Sequence, residues 1–125
     1  MRHYLLSAIA FFSVVGAACT DASEAQRRGV GAGCLSNDDC TETGQTCLAF
    51  KGGYCGVADC LKDTGCPGGS GCVAHTDGSN YCFLVCDDKA DCNVSRAADS
   101  EANCSSTATW ADQNNGKACV PPSGN

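Results

Sequence analysis

Past its first eighteen residues, the chain is poor in the side chains that build an ordinary core. From Cys34 to the C-terminus there is no Ile. Leu, Val and Phe together number eleven: Leu35, Leu48, Phe50, Val57, Leu61, Val73, Phe83, Leu84, Val85, Val94 and Val120. An acidic chain so short of apolar bulk would ordinarily stay disordered, because too little surface is buried to offset the lost chain entropy. Positive charge is scarce as well, with 8 Lys plus Arg against 14 Asp plus Glu and a formal net charge of -6. That excludes nucleic acid as a partner, since phosphate binding needs a basic surface. It also excludes electrostatic docking on anionic lipid.

Catalytic signatures are missing too. There is no C-x-x-C, so neither a thioredoxin-type redox site nor a zinc ribbon is indicated. No nucleophile elbow, phosphate-binding loop or HExxH occurs. Beyond residue 18 the only His is His75, which reads as a solvated residue beside a turn. Ser70, Asp77 and Ser79 are near it in sequence, but one His does not make a triad. The chain is expected not to be an enzyme, with no catalytic residue, cofactor or metal.

What the chain does have is sulfur: 13 of its 125 residues are Cys, above the roughly 8–10% that marks a disulfide scaffold in a short secreted chain. Cross-links are therefore the expected substitute for a large core, which implies an oxidising compartment.

The N-terminus agrees. Residues 1–18 read as a secretory signal: Arg2 and His3, then an apolar stretch from Tyr4 to Val15, then Gly16, Ala17 and Ala18. The stretch is short for a bilayer span, which needs roughly 20 apolar residues. Cys19 follows directly. Small-small-Cys at the end of a short signal resembles the lipobox of bacterial lipoproteins, although Gly16 stands where Leu is usual. The resemblance implies that Cys19 becomes the acylated first residue of the mature chain and the membrane anchor. Two or three acyl chains hold a protein stably where one is marginal. Setting Cys19 aside leaves twelve cysteines, an even number. The alternative is a soluble secreted protein, cut at the dibasic Arg27-Arg28, which also leaves twelve. Residues 19–33, small, polar and Gly-rich, read as a flexible lipid-anchored tether.

From residue 34 the cysteines fall into three groups of four, each opening with a five-residue gap. They are Cys34, Cys40, Cys47 and Cys55; Cys60, Cys66, Cys72 and Cys82; Cys86, Cys92, Cys104 and Cys119. Acidic residues occupy every first gap: Asp38 and Asp39, Asp63, then Asp87, Asp88 and Asp91. Turn signals lie between the third and fourth cysteines: Gly52-Gly53, Asp77-Gly78 and Asn114-Asn115-Gly116. Each group reads as a loop followed by a short β-hairpin, giving modules at 34–55, 60–82 and 86–119 and a tail at 120–125. The fold class expected is small and disulfide-rich, with little helix apart from the signal. One helical turn is expected in the third insert, near residues 95–103. Four cysteines allow three pairings. First-to-third with second-to-fourth is preferred, because it ties the loop to both hairpin strands. Third-to-fourth across the hairpin is the rival.

The segments Cys34-Leu35-Ser36-Asn37-Asp38-Asp39-Cys40 and Cys60-Leu61-Lys62-Asp63-Thr64-Gly65-Cys66, each continuing to its third Cys, resemble tandem repeats of cysteine-rich bacterial surface lipoproteins of the delta-proteobacterial type. They are more distantly similar to the opening of the Dickkopf N-terminal cysteine-rich module. The bacterial resemblance implies location and fold style, an exported outer-membrane or cell-surface protein, and no activity.

Three further expectations concern contacts. The aromatics Tyr54, Tyr81, Phe83 and Trp110 sit on or beside hairpins, either as anchors for a protein or glycan ligand or, the favoured reading, as small cores of their own modules. The acidic loops are read as solvated surface rather than calcium sites. Asn93-Val94-Ser95 and Asn103-Cys104-Ser105 match the short N-glycosylation pattern, which arises often by chance.

Overall fold

The computed structural model describes residues 26, 29–112 and 116–124. The signal segment, Cys19, most of the tether, Arg27-Arg28 and the Asn114-Asn115 turn signal lie outside the described residues. Among the described residues no helix is long and apolar enough to cross a membrane.

Every cysteine from Cys34 onward is bonded within its own group. The pairs are Cys34–Cys47 and Cys40–Cys55, Cys60–Cys72 and Cys66–Cys82, Cys86–Cys104 and Cys92–Cys119. This is first-to-third and second-to-fourth three times over. The third and fourth cysteines face one another across the hairpin strands without bonding: Cys47 opposite Cys55, Cys72 opposite Cys82, Cys104 opposite Cys119. Each instead reaches back to the preceding loop.

Those loops each hold a single 3-10 turn, at Asn37–Asp39, Asp63–Gly65 and Ala90–Cys92; a fourth, Ala98–Ser100, lies in the third insert where a helical turn is expected. The hairpins are antiparallel. β1 (Thr46–Leu48) pairs with β2 (Tyr54–Gly56) across Gly52 and Gly53, both at positive φ. Gly53 has no alternative, since a Cβ there would sit 2.1 Å from the Cys34 carbonyl oxygen. β3 (Ser70–Ala74) pairs with β4 (Asn80–Cys86), and β5 (Asn103–Ser105) with β6 (Lys117–Val120).

The modules are not independent. β6 also pairs with β4, so the second and third groups share one four-stranded sheet in the order β3-β4-β6-β5. The apolar residues likewise form one joint cluster: Leu48, Phe50 and Tyr54 from the first group, Val73, Phe83 and Leu84 from the second, Ala102, Ala118 and Cys119 from the third. Tyr54 and Phe83 are wholly buried and pack edge to face at 5.1 Å between ring centroids. Few apolar residues therefore suffice, because three groups pool them.

Two boundaries differ from expectation. Residues 29–33 belong to the fold. Val30 is buried, the Gly31 amide donates to the Cys55 carbonyl, and the Cys55 amide donates to the Ala32 carbonyl, adding a short rung outside β2. The last residues are docked too: Phe50 bridges to Ser123, and the Lys51 amide donates to the Pro122 carbonyl.

Candidate functional site

The twelve bonded cysteines are structural. Three groups of cysteine sulfurs lie within 4.8 Å of one another, a spacing that would suit a metal if the sulfurs were thiolates. All are in disulfides, so they offer no such ligands.

The acidic loops have internal partners. Asp39 accepts from the amides of Leu35 (2.8 Å) and Ser36 (3.0 Å). Asp91, at the same place in the third group, accepts from Asp87 (2.9 Å) and Asp88 (3.0 Å). These amide contacts hold both carboxyls below their ordinary pKa. Asn37 and Asp63, each three places after a first cysteine, accept from the amides of Cys47 and Cys72 at 2.9 and 2.8 Å. Asn37 and Asp63 thus fix the first two loops to their hairpins, while Asp39 and Asp91 brace the first and third loops internally.

The four aromatics singled out by sequence have separate fates. Tyr54 and Phe83 cannot anchor a ligand, since both have no exposed surface. Burial pushes the Tyr54 phenol far above its usual pKa, against the opposing influence of the Leu84 amide, which donates to its oxygen at 3.1 Å, and of the Arg96 charge. Tyr81 is half-buried and stacks on Phe83 at 5.7 Å. Its hydroxyl donates to Asp77 at 2.8 Å. Trp110 is half-buried against Gly71, where a Cβ would sit 2.5 Å from the ring, and its Nε1 donates to the Gly116 carbonyl. The neighbouring backbone seals the outer edge of β3, with the Ala74 amide donating to Thr109 and the Ala111 amide to Cys72.

His75 is not the solvated residue expected. Its side chain is 9% exposed and meets the rings of Phe50, Tyr81 and Phe83 edge-on. Its Nδ1 lies 3.3 Å from an Asp77 carboxylate oxygen. Ser70 is turned to other work, its Oγ donating to the Pro67 carbonyl at 2.6 Å. Among the described residues this corner carries a packed His–Asp–Tyr turn, not a nucleophile aligned with a base.

Two residues have structural roles that no local sequence pattern signals. Arg96 donates to four backbone carbonyls: Ser100 through Nε, Gly31 and Gly53 through Nη1, and Lys51 through Nη2, at 2.8–3.2 Å. Its guanidinium also lies 5.6 Å from the Tyr54 ring centroid. Asn93 donates to Lys89 and Ala102 and accepts from the Ala102 amide. Its amide is a brace inside the third group, which leaves the glycosylation pattern there without a free acceptor nitrogen.

Among the described residues, Leu35, Leu61 and Val94 are exposed large apolar side chains. A cavity of about 570 Å³ opens where the chain enters the fold, lined by Val30, Ala32, Leu84, Asp91 and Val94 among others. No family model, curated protein or solved structure matches the chain.

Proposed function

We propose that this chain is an exported lipoprotein, anchored by acyl groups on Cys19, whose disulfide-braced fold serves a binding or structural role at the cell surface or in the periplasm. Six disulfides in so small a chain are typical of exported proteins. The observation that carries the reading is that all twelve cysteines from Cys34 to Cys119 are taken up by one another. Cys19 is the thirteenth, and it stands directly after the small residues Gly16, Ala17 and Ala18.

Metabolic labelling with an acyl probe tests this. Label incorporated by the parent and absent from Cys19→Ser supports the anchor; an unlabelled parent overturns it. A freely diffusing effector or inhibitor is the second reading. It is favoured by Val30 and Gly31, which pack into the fold just past Arg28, so that a cut after Arg28 leaves both in place. Such a protein would be recovered from the medium with Gly29 as its first residue.

The role is not catalytic in either case. The arrangement around His75 supports packing, and His75→Ala should lower stability; a hydrolytic activity against ester or peptide substrates present in the parent and lost in this variant would overturn the reading.

A further inference from the structure

We propose that Leu61-Lys62 is a protease-directed loop: a serine endopeptidase with an apolar specificity pocket binds it as a substrate, with Leu61 in that pocket, and releases it largely uncut. This names the partner for the binding role proposed above and rests on that role alone. It holds whether or not Cys19 carries lipid.

The three groups differ at one position. Five places after the first cysteine stand Asp39, Gly65 and Asp91. Asp39 takes the amides of Leu35 and Ser36, and Asp91 those of Asp87 and Asp88. Gly65 has no side chain with which to do this. Among the described residues nothing accepts from the amide of Leu61 or Lys62. Leu61 is 80% exposed, Lys62 is exposed too, and the Lys62 backbone is extended at φ -146° and ψ 160°. The second group therefore leaves open the main-chain donors that its neighbours close. Extended backbone with open donors and a projecting side chain is what a cleft recognises by strand addition.

Both flanks are fixed. On the leading side Cys60 is buried and bonded to Cys72, the Asp59 amide donates to the Asn80 carbonyl at 2.8 Å, and Asn80 Nδ2 donates to the Cys60 carbonyl at 3.0 Å. On the trailing side the Asp63 amide donates to Asp112 at 3.3 Å, the Asp63 carboxylate accepts from the Cys72 amide at 2.8 Å, and Cys66 is bonded to Cys82. Two exposed residues are held between these supports, so little freedom is lost on binding. The same geometry chooses the bond. The Lys62 carbonyl already accepts from the Gly65 amide at 3.0 Å. The Leu61 carbonyl has no such partner among the described residues, so it is the one open to an oxyanion hole.

The chemistry then runs in both directions. Attack of the enzyme's serine Oγ on the Leu61 carbonyl carbon forms an ester, breaks the Leu61–Lys62 bond and leaves the serine's proton on the Lys62 amine. Leu61 stays tied through Cys60, and Lys62 through Asp63 and Cys66. The amine is thus kept beside the ester. It re-forms the peptide bond and returns the proton to the serine faster than water hydrolyses the ester.

The test uses the exported, fully oxidised protein in peptide-hydrolysis assays of chymotrypsin, subtilisin and trypsin. The parent should inhibit chymotrypsin or subtilisin competitively and leave trypsin active. Leu61→Gly should weaken that inhibition roughly tenfold to a hundredfold. Leu61→Arg should move it to trypsin, whose pocket carries an Asp. Leu35→Arg should not, because Asp39 keeps the amides of residues 35 and 36. Both sites are exposed, and an intact mass showing six bridges reports that each variant has folded. A six-bridged parent that inhibits none of the three enzymes, with Leu61→Arg inert toward trypsin, overturns the proposal. So does prompt, complete hydrolysis at Leu61–Lys62, or an equal gain of trypsin inhibition by both Arg variants. The acyl label on Cys19 is read separately, so the anchor stands or falls on its own result.

Discussion

Arg96 does the most joining of any single side chain. Its planar fork reaches carbonyls before the first group, inside its hairpin turn and inside the third group. Arg96→Ala leaves those oxygens without donors and should cost about 2–3 kcal/mol in a urea melt. Arg96→Lys should recover little of this, because one ammonium cannot span four acceptors. Tyr54 yields a pH prediction. Its phenol is neutral in the fold and its pKa is raised by burial. Its contribution is therefore complete below about pH 10, the value in the unfolded chain, and is lost as the pH rises above it. Urea midpoints should fall between pH 9 and 11. Tyr54→Phe should flatten that fall while costing about 1 kcal/mol at neutral pH, since the Leu84 amide loses its acceptor. An equal alkaline decline in the Phe variant would refute the assignment.

The loop-plus-hairpin elements show why part of the fold was legible beforehand. Cysteine spacing, the Gly pair at 52 and 53, and the acidic residue in each first gap are local signals. They encode contacts within about thirty residues of chain, so the hairpins could be read off and the sulfur pairing narrowed to a preference over one rival. What could not be read were contacts made across groups. The meeting of Phe50 with Phe83, the capping of β3 by residues 109–111 and the docking of residues 29–33 depend on three groups folding against one another. No periodicity in any one group announces that. Arg96 and Asn93 were hidden for the same reason: each is an ordinary polar residue until carbonyls from elsewhere surround it. The elements carry their own test. Asp39, Asp91 and Asp77 all have carboxyls held below the usual pKa, chiefly by backbone amides. Their contribution is present above about pH 4, the unfolded value, and is lost as the pH drops further. Thermal melts from pH 5 to pH 2 should show that loss, and Asp39→Asn with Asp91→Asn should reduce its slope.

For the whole molecule, the question is how far sulfur and how far packing hold the shape. Both act, because the bridges brace each group and the pooled core unites them. Removing Cys92–Cys119, the longest closure at 27 residues, should cost about 2–5 kcal/mol. Loop length alone distinguishes it from the 12-residue closure of Cys60–Cys72 by only about 0.7 kcal/mol. Cys72 and Cys119 are equally buried, so the measured gap should stay near that figure. Paired Cys→Ala variants of the two bridges, compared by denaturant midpoint, decide it; a gap well above it would mean that loop closure is not what separates them. Intact mass before and after reduction should differ by two hydrogens for each of the six bridges.

Both ends of the fold close on the first group: residues 31 and 32 lie along β2, and residues 122 and 123 lie against Lys51 and Phe50. A ribosome delivers these partners at opposite times. The first group thus waits, incompletely covered, for residues 122 and 123 to arrive. Deleting those two residues should therefore be felt some seventy positions upstream, at residues 50 and 51.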